Sequence, residues 1–164
     1  MSESPQTPEA FVQHFVEVTQ RISGQVIGSD LEEQLNQAFP AGGEWFEAAK
    51  RMCRAGCEEG WLCAREAGGI KFGRAVPPSD TLNGMSIDVV EMDSIVGPHH
   101  SHPNGEIDLV MPLLGAAEFD GRGAGWKVYG PGSAHRPTVT GGKALVLYLN
   151  VLRCIYRIAL PRSH

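Results

Sequence analysis

The hydrophobic residues of this chain change period at Trp61, and that change constrains the fold more than any other feature. Before it, apolar residues recur at helical spacing. In "TPEAFVQHFVEVTQRI" they are Phe11, Phe15, Val18 and Ile22, with Thr7 placed as an N-cap and Pro8 at the first helical position. "SDLEEQLNQAF" carries Leu31, Leu35, Ala38 and Phe39 on one stripe, and Ser29 with Glu32 has the spacing of a capping box. "GEWFEAAKRMCRAGCEEG" puts Trp45, Ala49, Met52, Cys53 and Gly56 on one side, and Gly60 is its stop. After Trp61 the runs are short and separated by Gly, Pro, Asn and Asp. "GIKFGRAV", "MSIDVVEM", "GEIDLVMPL", "AAEFD", "GWKVYG", "PTVT", "KALVLYLNV" and "CIYRIAL" read as strands. The twenty glycines and eleven prolines fit a body with many turns. The expected architecture is mainly β: a helical region over residues 1–60 packed on a sandwich or barrel over residues 61–164, with no flexible linker between them.

Composition excludes several functions. A formal charge of −5 and the lack of a basic patch argue against nucleic-acid binding. "MSESPQTPEAF" has neither a basic start nor an apolar core, so it does not read as a secretory signal. No apolar run reaches membrane-spanning length. A cytoplasmic protein with no membrane partner is therefore expected. The four cysteines, Cys53, Cys57, Cys63 and Cys154, lack zinc-ribbon spacing and read as reduced structural thiols. "GGI" and "GRGAG" do not make a phosphate loop, and no G-x-S-x-G elbow occurs.

The chemistry concentrates in "GPHHSHPNGEIDLVMPLLG", residues 97–115, which holds three of the six histidines. Residues two apart on a strand share a face, so His100 and His102 point together. A "PNG" turn then returns Glu106 to the same side. Asp108 shares the parity of Glu106, while Ile107, Leu109 and Met111 take the other face. His99 has the opposite parity to His100. A further histidine, His135, follows two glycines and a proline in "YGPGSAHRP". Three imidazoles and a carboxylate, His100, His102, Glu106 and His135, suit a divalent transition metal: Fe, Mn, Ni, Co or Zn. His14 and His164 read as surface or hydrogen-bonded residues.

These two elements resemble the paired motifs of the cupin superfamily. Gly97, His100, His102, Glu106 and Gly115 approximate its G-x5-H-x-H-x3/4-E-x6-G pattern, with Gly97 too close to His100 and Gly115 two positions too far from Glu106. Gly132 and His135 match P-x-G-x2-H, with Pro131 shifted by one. A narrower resemblance runs from about Met52 to Leu149. There "CRAGCEEGWLCAREAGGIKFGR" and "FDGRGAGWKVYGPGSAHRPTVTGGKALVLYL" are similar to the small bacterial cupins typified by 4-hydroxylaminobenzoate lyase. The resemblance implies a cupin double-stranded β-helix, or jelly-roll, barrel. It also implies conversion of 4-hydroxylaminobenzoate to protocatechuate and ammonia in nitroaromatic breakdown.

That implied substrate asks for particular side chains. A metal held by His100, His102, Glu106 and His135 would polarise the hydroxylamine oxygen or generate bound hydroxide. Glu106, Asp108 and His99 are the candidate acid–base groups. A small aromatic carboxylate wants a guanidinium, and Arg65, Arg74, Arg122 and Arg136 are available. Arg74, in phase with Ile70 and Phe72, and Arg136, beside His135, are the leading candidates. Tyr129, Trp126 and Tyr148 are candidate walls; Tyr148 is out of phase with Leu145, Leu147 and Leu149. An Fe(II) oxygenase on an aromatic acid and a non-catalytic small-molecule-binding cupin remain as alternatives. A homodimer is expected from sheet-edge pairing and the apolar helical stripe.

Overall fold

The computed structural model of this chain describes residues 7–150. Four helices come first: α1 (Glu9–His14), α2 (Val16–Ile22), α3 (Ser29–Ala38) and α4 (Glu44–Glu59). The single helix expected over residues 7–22 is thus two. It breaks at Phe15, whose φ of −97° and ψ of 1° leave helical geometry. Phe15 is fully buried against Phe11 and Trp45, with ring centroids 5.1 and 5.3 Å away. Thr7 does not cap α1; Pro8 takes that position, and the Thr7 hydroxyl donates to the Ala75 carbonyl at 2.7 Å. The expected capping box on α3 does not form either. Gly28 is the N-cap, and the Glu32 carboxylate accepts the Val128 N–H at 2.8 Å and pairs with Arg122 at 2.9 Å. Tertiary partners outcompete the local cap because they satisfy an exposed strand edge. α4 runs as expected and ends at Gly60, whose φ of +91° favours a residue without Cβ.

Eight strands follow: β1 (Arg65–Ala67), β2 (Ile70–Val76), β3 (Ser86–Val96), β4 (His100–His102), β5 (Glu106–Phe119), β6 (Gly125–Tyr129), β7 (Ser133–His135) and β8 (Thr138–Asn150). One sheet has the order β1-β2-β3-β8-β5-β6, and β4 pairs with β7 in a second; all pairings are antiparallel. Two pairs of expected strands are fused. "GEIDLVMPL" and "AAEFD" lie on β5, and "PTVT" and "KALVLYLN" lie on β8. The strand expected in "CIYRIAL" lies outside the described residues.

The large sheet is buried on both faces. Leu145, Leu147 and Leu149 of β8, Ile107, Leu109 and Met111 of β5, and Ile87 and Val89 of β3 pack into one core with the helices. Ala144, Val146 and Tyr148, with Val110 and Met92, fill the barrel interior. Parity then flips in all three strands at one level, because Ile95, Ala117, Phe119 and Val139 also face the interior. The register shifts lie between Asp93 and Ile95, between Pro112 and Leu114 and between Gly115 and Glu118, and Gly115 is opposite Gly142. A Cβ on Gly142 (φ +155°) would sit 2.0 Å from the Leu114 carbonyl oxygen. These bulges curl the sheet and close the barrel. α3 covers the β6 edge. Asn36 accepts the Trp126 N–H at 2.9 Å and donates to the Trp126 carbonyl at 3.1 Å. Trp126 is fully buried in the helix-side core, so it does not wall the interior as expected. His14, expected to be a surface or hydrogen-bonded residue, stacks on Trp45 at 4.6 Å and places its Nε2 2.9 Å from the Trp45 carbonyl oxygen. Among the described residues no helix is long and apolar enough to cross a membrane.

Candidate metal centre

The short β4–β7 ladder sets the geometry of the histidines. His100 is opposite His135, and His102 is opposite Ser133. The turn after β4 needs Gly105 at φ +86°, where a Cβ would meet the Tyr129 carbonyl oxygen at 2.8 Å. It returns the chain so that β5 opens with Glu106. His100 Nε2 lies 3.2 Å from Glu106 Oε2, His102 Nε2 lies 3.1 Å from Oε1, and His135 Nε2 lies 3.9 Å from Oε1. One donor atom from each of these four residues lies within 4.8 Å of all the others.

The donor set fits a metal ion. His102 Nε2, Glu106 Oε1 and His135 Nε2 are buried and have no hydrogen-bond partner. Leaving three such atoms unsatisfied is costly, and a shared cation removes the cost. His102 Nε2 and Glu106 Oε1 are close, yet their lone pairs converge beside one another without hydrogen-bond geometry. Burial holds the His102 imidazole below its usual range, which favours the neutral form that ligates.

The outer nitrogens are held as ligands require. Ser133 donates its hydroxyl to the Gly130 carbonyl at 2.7 Å, so its oxygen accepts from His102 Nδ1 at 3.0 Å. Asp120 accepts from His135 Nδ1 at 2.5 Å, from the Tyr129 hydroxyl and from the Thr138 N–H at 2.9 Å. Both contacts put the ring proton on Nδ1 and leave Nε2 free. Sequence reasoning missed Asp120 and Ser133. Asp120 reads as a turn residue, and only its strand-crossing contacts give it a role.

Asp108 is completely buried on the interior face, with neither carboxylate oxygen hydrogen-bonded. Burial, and then the neighbouring Glu106 charge, push its carboxyl well above the usual range, which favours the protonated form. Tyr148 is buried beside it, with its ring 6.5 Å from that of His100, and burial pushes the phenol up. Tyr129 lies behind the ligands, with its ring 4.4 Å from His135 and 5.0 Å from His102.

The cluster opens into a cavity of about 710 Å³, which His100, His102 and Glu106 share with Arg74, Asp88, Ser86 and Asn150. Arg74 Nε donates to Asp88 at 2.9 Å, and that hydrogen bond raises the guanidinium pKa. Asn150 donates to Asp88 at 3.0 Å and to Ser86 at 3.2 Å. Ser86 and Asp88 were not singled out by sequence, although "SIDVV" alternates with both on one parity. His99 and Arg136 are exposed and lie outside both the cluster and the cavity wall. His99 precedes β4, and its neighbour in sequence takes the ligand position. Arg65 is exposed on β1, and Arg122 is committed to Glu32.

Three histidines and a glutamate at one end of a double-stranded β-helix define a cupin with a metal-capable site. Solved structures similar to part of the chain include an RmlC-like cupin from Ralstonia eutropha JMP134, with TM-score 0.39 and 12% identity over 53% of this chain and 59% of that one. The model of the PnbB 4-hydroxylaminobenzoate lyase family matches residues 13–152, and the chain belongs to that family. A 4-hydroxylaminobenzoate lyase of Nocardioides sp. (strain LMS-CY) is 34% identical, covering 94% of this chain and 98% of that protein. One of Pseudomonas putida is 29% identical, covering 78% and 82%.

Proposed function

We propose that this protein is a metal-assisted lyase converting 4-hydroxylaminobenzoate into protocatechuate and ammonia. The observation that carries the reading is the convergence of three buried, unpartnered ligand atoms on one point, at the edge of a cavity that also holds Arg74. Membership of the lyase family supplies the substrate class. The reaction takes up one water and releases one ammonia. Reduction at the N–O bond balances oxidation of the ring, so no external electron acceptor is needed.

His100, His102, Glu106 and His135 would hold the divalent ion, with Fe, Mn, Ni, Co and Zn all compatible with the donor set. A bound ion there supplies Lewis acidity to an oxygen ligand. The remaining tasks fall to the chain. Arg74 receives the ring carboxylate at the cavity wall, with Asp88 holding the guanidinium and Asn150 holding Asp88 in place. That sets the aromatic ring across the cavity with its nitrogen toward the histidines. Asp108 holds a proton at its carboxyl and is the acid for the departing N–O oxygen, beside Glu106. Tyr148 keeps its phenolic proton and closes the interior behind His100. His99 and Arg136 have no part in this reading. The assembly we propose is a homodimer, which a monomeric mass by light scattering would overturn.

The test is turnover of 4-hydroxylaminobenzoate without oxygen, by protein reconstituted with one metal at a time and by chelator-stripped protein. Ammonia and protocatechuate in equal amounts, only with metal bound, support the proposal. Product that requires oxygen overturns it in favour of an oxygenase. Full turnover by metal-free His102→Ala protein sinks the metal assistance and leaves the lyase assignment intact.

A further inference from the structure

Cys57 and Cys63 lie away from the histidine cluster, and the lyase chemistry does not use them. Cys53, fully buried on α4, behaves as a structural thiol, and burial pushes its pKa up. The other two differ. Cys57 is half-buried on the last turns of α4, and Cys63 follows the Gly60 turn. Both line a small polar pocket of about 170 Å³, open to solvent, with Arg65, Lys71 and Glu91 around them.

Cys63 sits at φ +53°, a conformation that side-chain-bearing residues seldom adopt. The strained backbone places its thiol 3.5 Å from the Val89 carbonyl, to which it donates, and the Leu62 N–H bond to the Gly56 carbonyl at 3.1 Å brings the residues that follow them, Cys63 and Cys57, to the same pocket. The neighbouring Cys63 thiol is the main cause holding the Cys57 thiol below its usual range, with a smaller contribution from Lys71, against burial and the charges of Glu91 and Glu58. Cys63 is pushed the other way by the same contact and by burial. Cys57 is the more exposed sulfur and Cys63 is buried behind it, so Cys57 is the thiol that a small solute in the pocket meets first.

We propose that Cys57 and Cys63 form a second reactive site, a dithiol that reduces small hydroperoxides and closes to a disulfide. The Cys57 thiolate attacks the O–O bond, giving a sulfenic acid and releasing hydroxide (or the alcohol, from an alkyl peroxide). The Cys63 thiol then displaces the sulfenic hydroxyl as water, and an S–S bond forms. Two electrons pass from sulfur to the peroxide, and the peroxide is the sole oxidant. The small, polar pocket is open to solvent, which gives hydrogen peroxide access to the thiols.

The chain supplies a direct readout, because trypsin releases Ala55–Arg65 with both cysteines on one peptide and Cys53 on another. Reduced wild-type protein is exposed to hydrogen peroxide, quenched, blocked with maleimide and digested. The expected result is an unlabelled Ala55–Arg65 peptide two hydrogens lighter, with Cys53 still labelled. Without peroxide, iodoacetamide should modify Cys57 at least about tenfold faster than Cys53. In Cys63→Ser protein, dimedone should trap a sulfenic acid on Cys57. A doubly labelled peptide at peroxide doses that already oxidise methionine would overturn the proposal. So would Cys57 sulfinic acid beside a free Cys63. The wild-type peptide decides the question even where the variant does not fold.

Discussion

Replacing Asp120 with Asn keeps the volume of the side chain and removes one acceptor, which makes it a sharp test of how the metal site is held. In the wild type the carboxylate accepts from the Thr138 N–H, the Tyr129 hydroxyl and His135 Nδ1. In the Asp120→Asn protein, a side-chain carbonyl that keeps the Thr138 contact turns the amide NH2 toward His135. The NH2 can only donate, so His135 must offer Nδ1 as an acceptor and carry its proton on Nε2. Nε2 is the atom that faces Glu106 and the other donors. A protonated Nε2 has no lone pair for a metal. Restoring the ligating tautomer sets two donors against each other and forfeits a charge-assisted hydrogen bond, about 1.5–3 kcal/mol. The expected loss of metal affinity is therefore about 10- to 150-fold. Competition of Zn(II) or Co(II) between chelator-stripped protein and a fluorescent chelator measures it, with the melting temperature as the control for folding. An Asp120→Asn protein that folds normally and binds within about twofold of wild type would refute the tautomer argument.

Other outcomes follow from the same geometry. Asp108 has a raised folded pKa, so as pH rises above about 4 the unfolded chain ionises first and stability is lost. Metal-stripped Asp108→Asn protein should melt above wild type at pH 8, with the gap closing toward pH 4; a lower melting point at pH 8 contradicts the assignment. The same variant should lose about 100-fold or more in turnover if Asp108 is the acid. Arg74→Met should raise KM for 4-hydroxylaminobenzoate by about 10- to 100-fold with a smaller change in kcat, and Arg74→Lys should not fully restore it. Unchanged steady-state kinetics would remove Arg74 from the substrate site. Gly142→Ala drives a Cβ into the Leu114 carbonyl and should cost about 2–4 kcal/mol in denaturant unfolding, whereas Gly123→Ala, with open space around it, should be near neutral.

The period change at Trp61 was enough to read a helical region followed by a β-barrel, because each element buries one face and writes its own repeat into the residues. The strand parity of His100, His102 and Glu106 was legible for the same reason. The phase of Tyr148 against Leu145, Leu147 and Leu149 set it on the opposite face, cavity or solvent, and the barrel made that face the interior. What could not be read is what depends on partners distant in sequence. Glu32 has the spacing of a cap but serves the edge of β6, 96 residues away. Thr7 reads as a cap but is tied to Ala75, 68 residues on. Arg74 and Arg136 were equal candidates until the barrel placed one at the cavity and the other in solvent. Asp120 gained its role only because the bulged β5 delivers it beneath His135. Period and local spacing carry the face a side chain takes, since backbone geometry determines that within a few residues. Which groups meet across the barrel is decided by register and bulges, and those emerge only when the whole sheet closes.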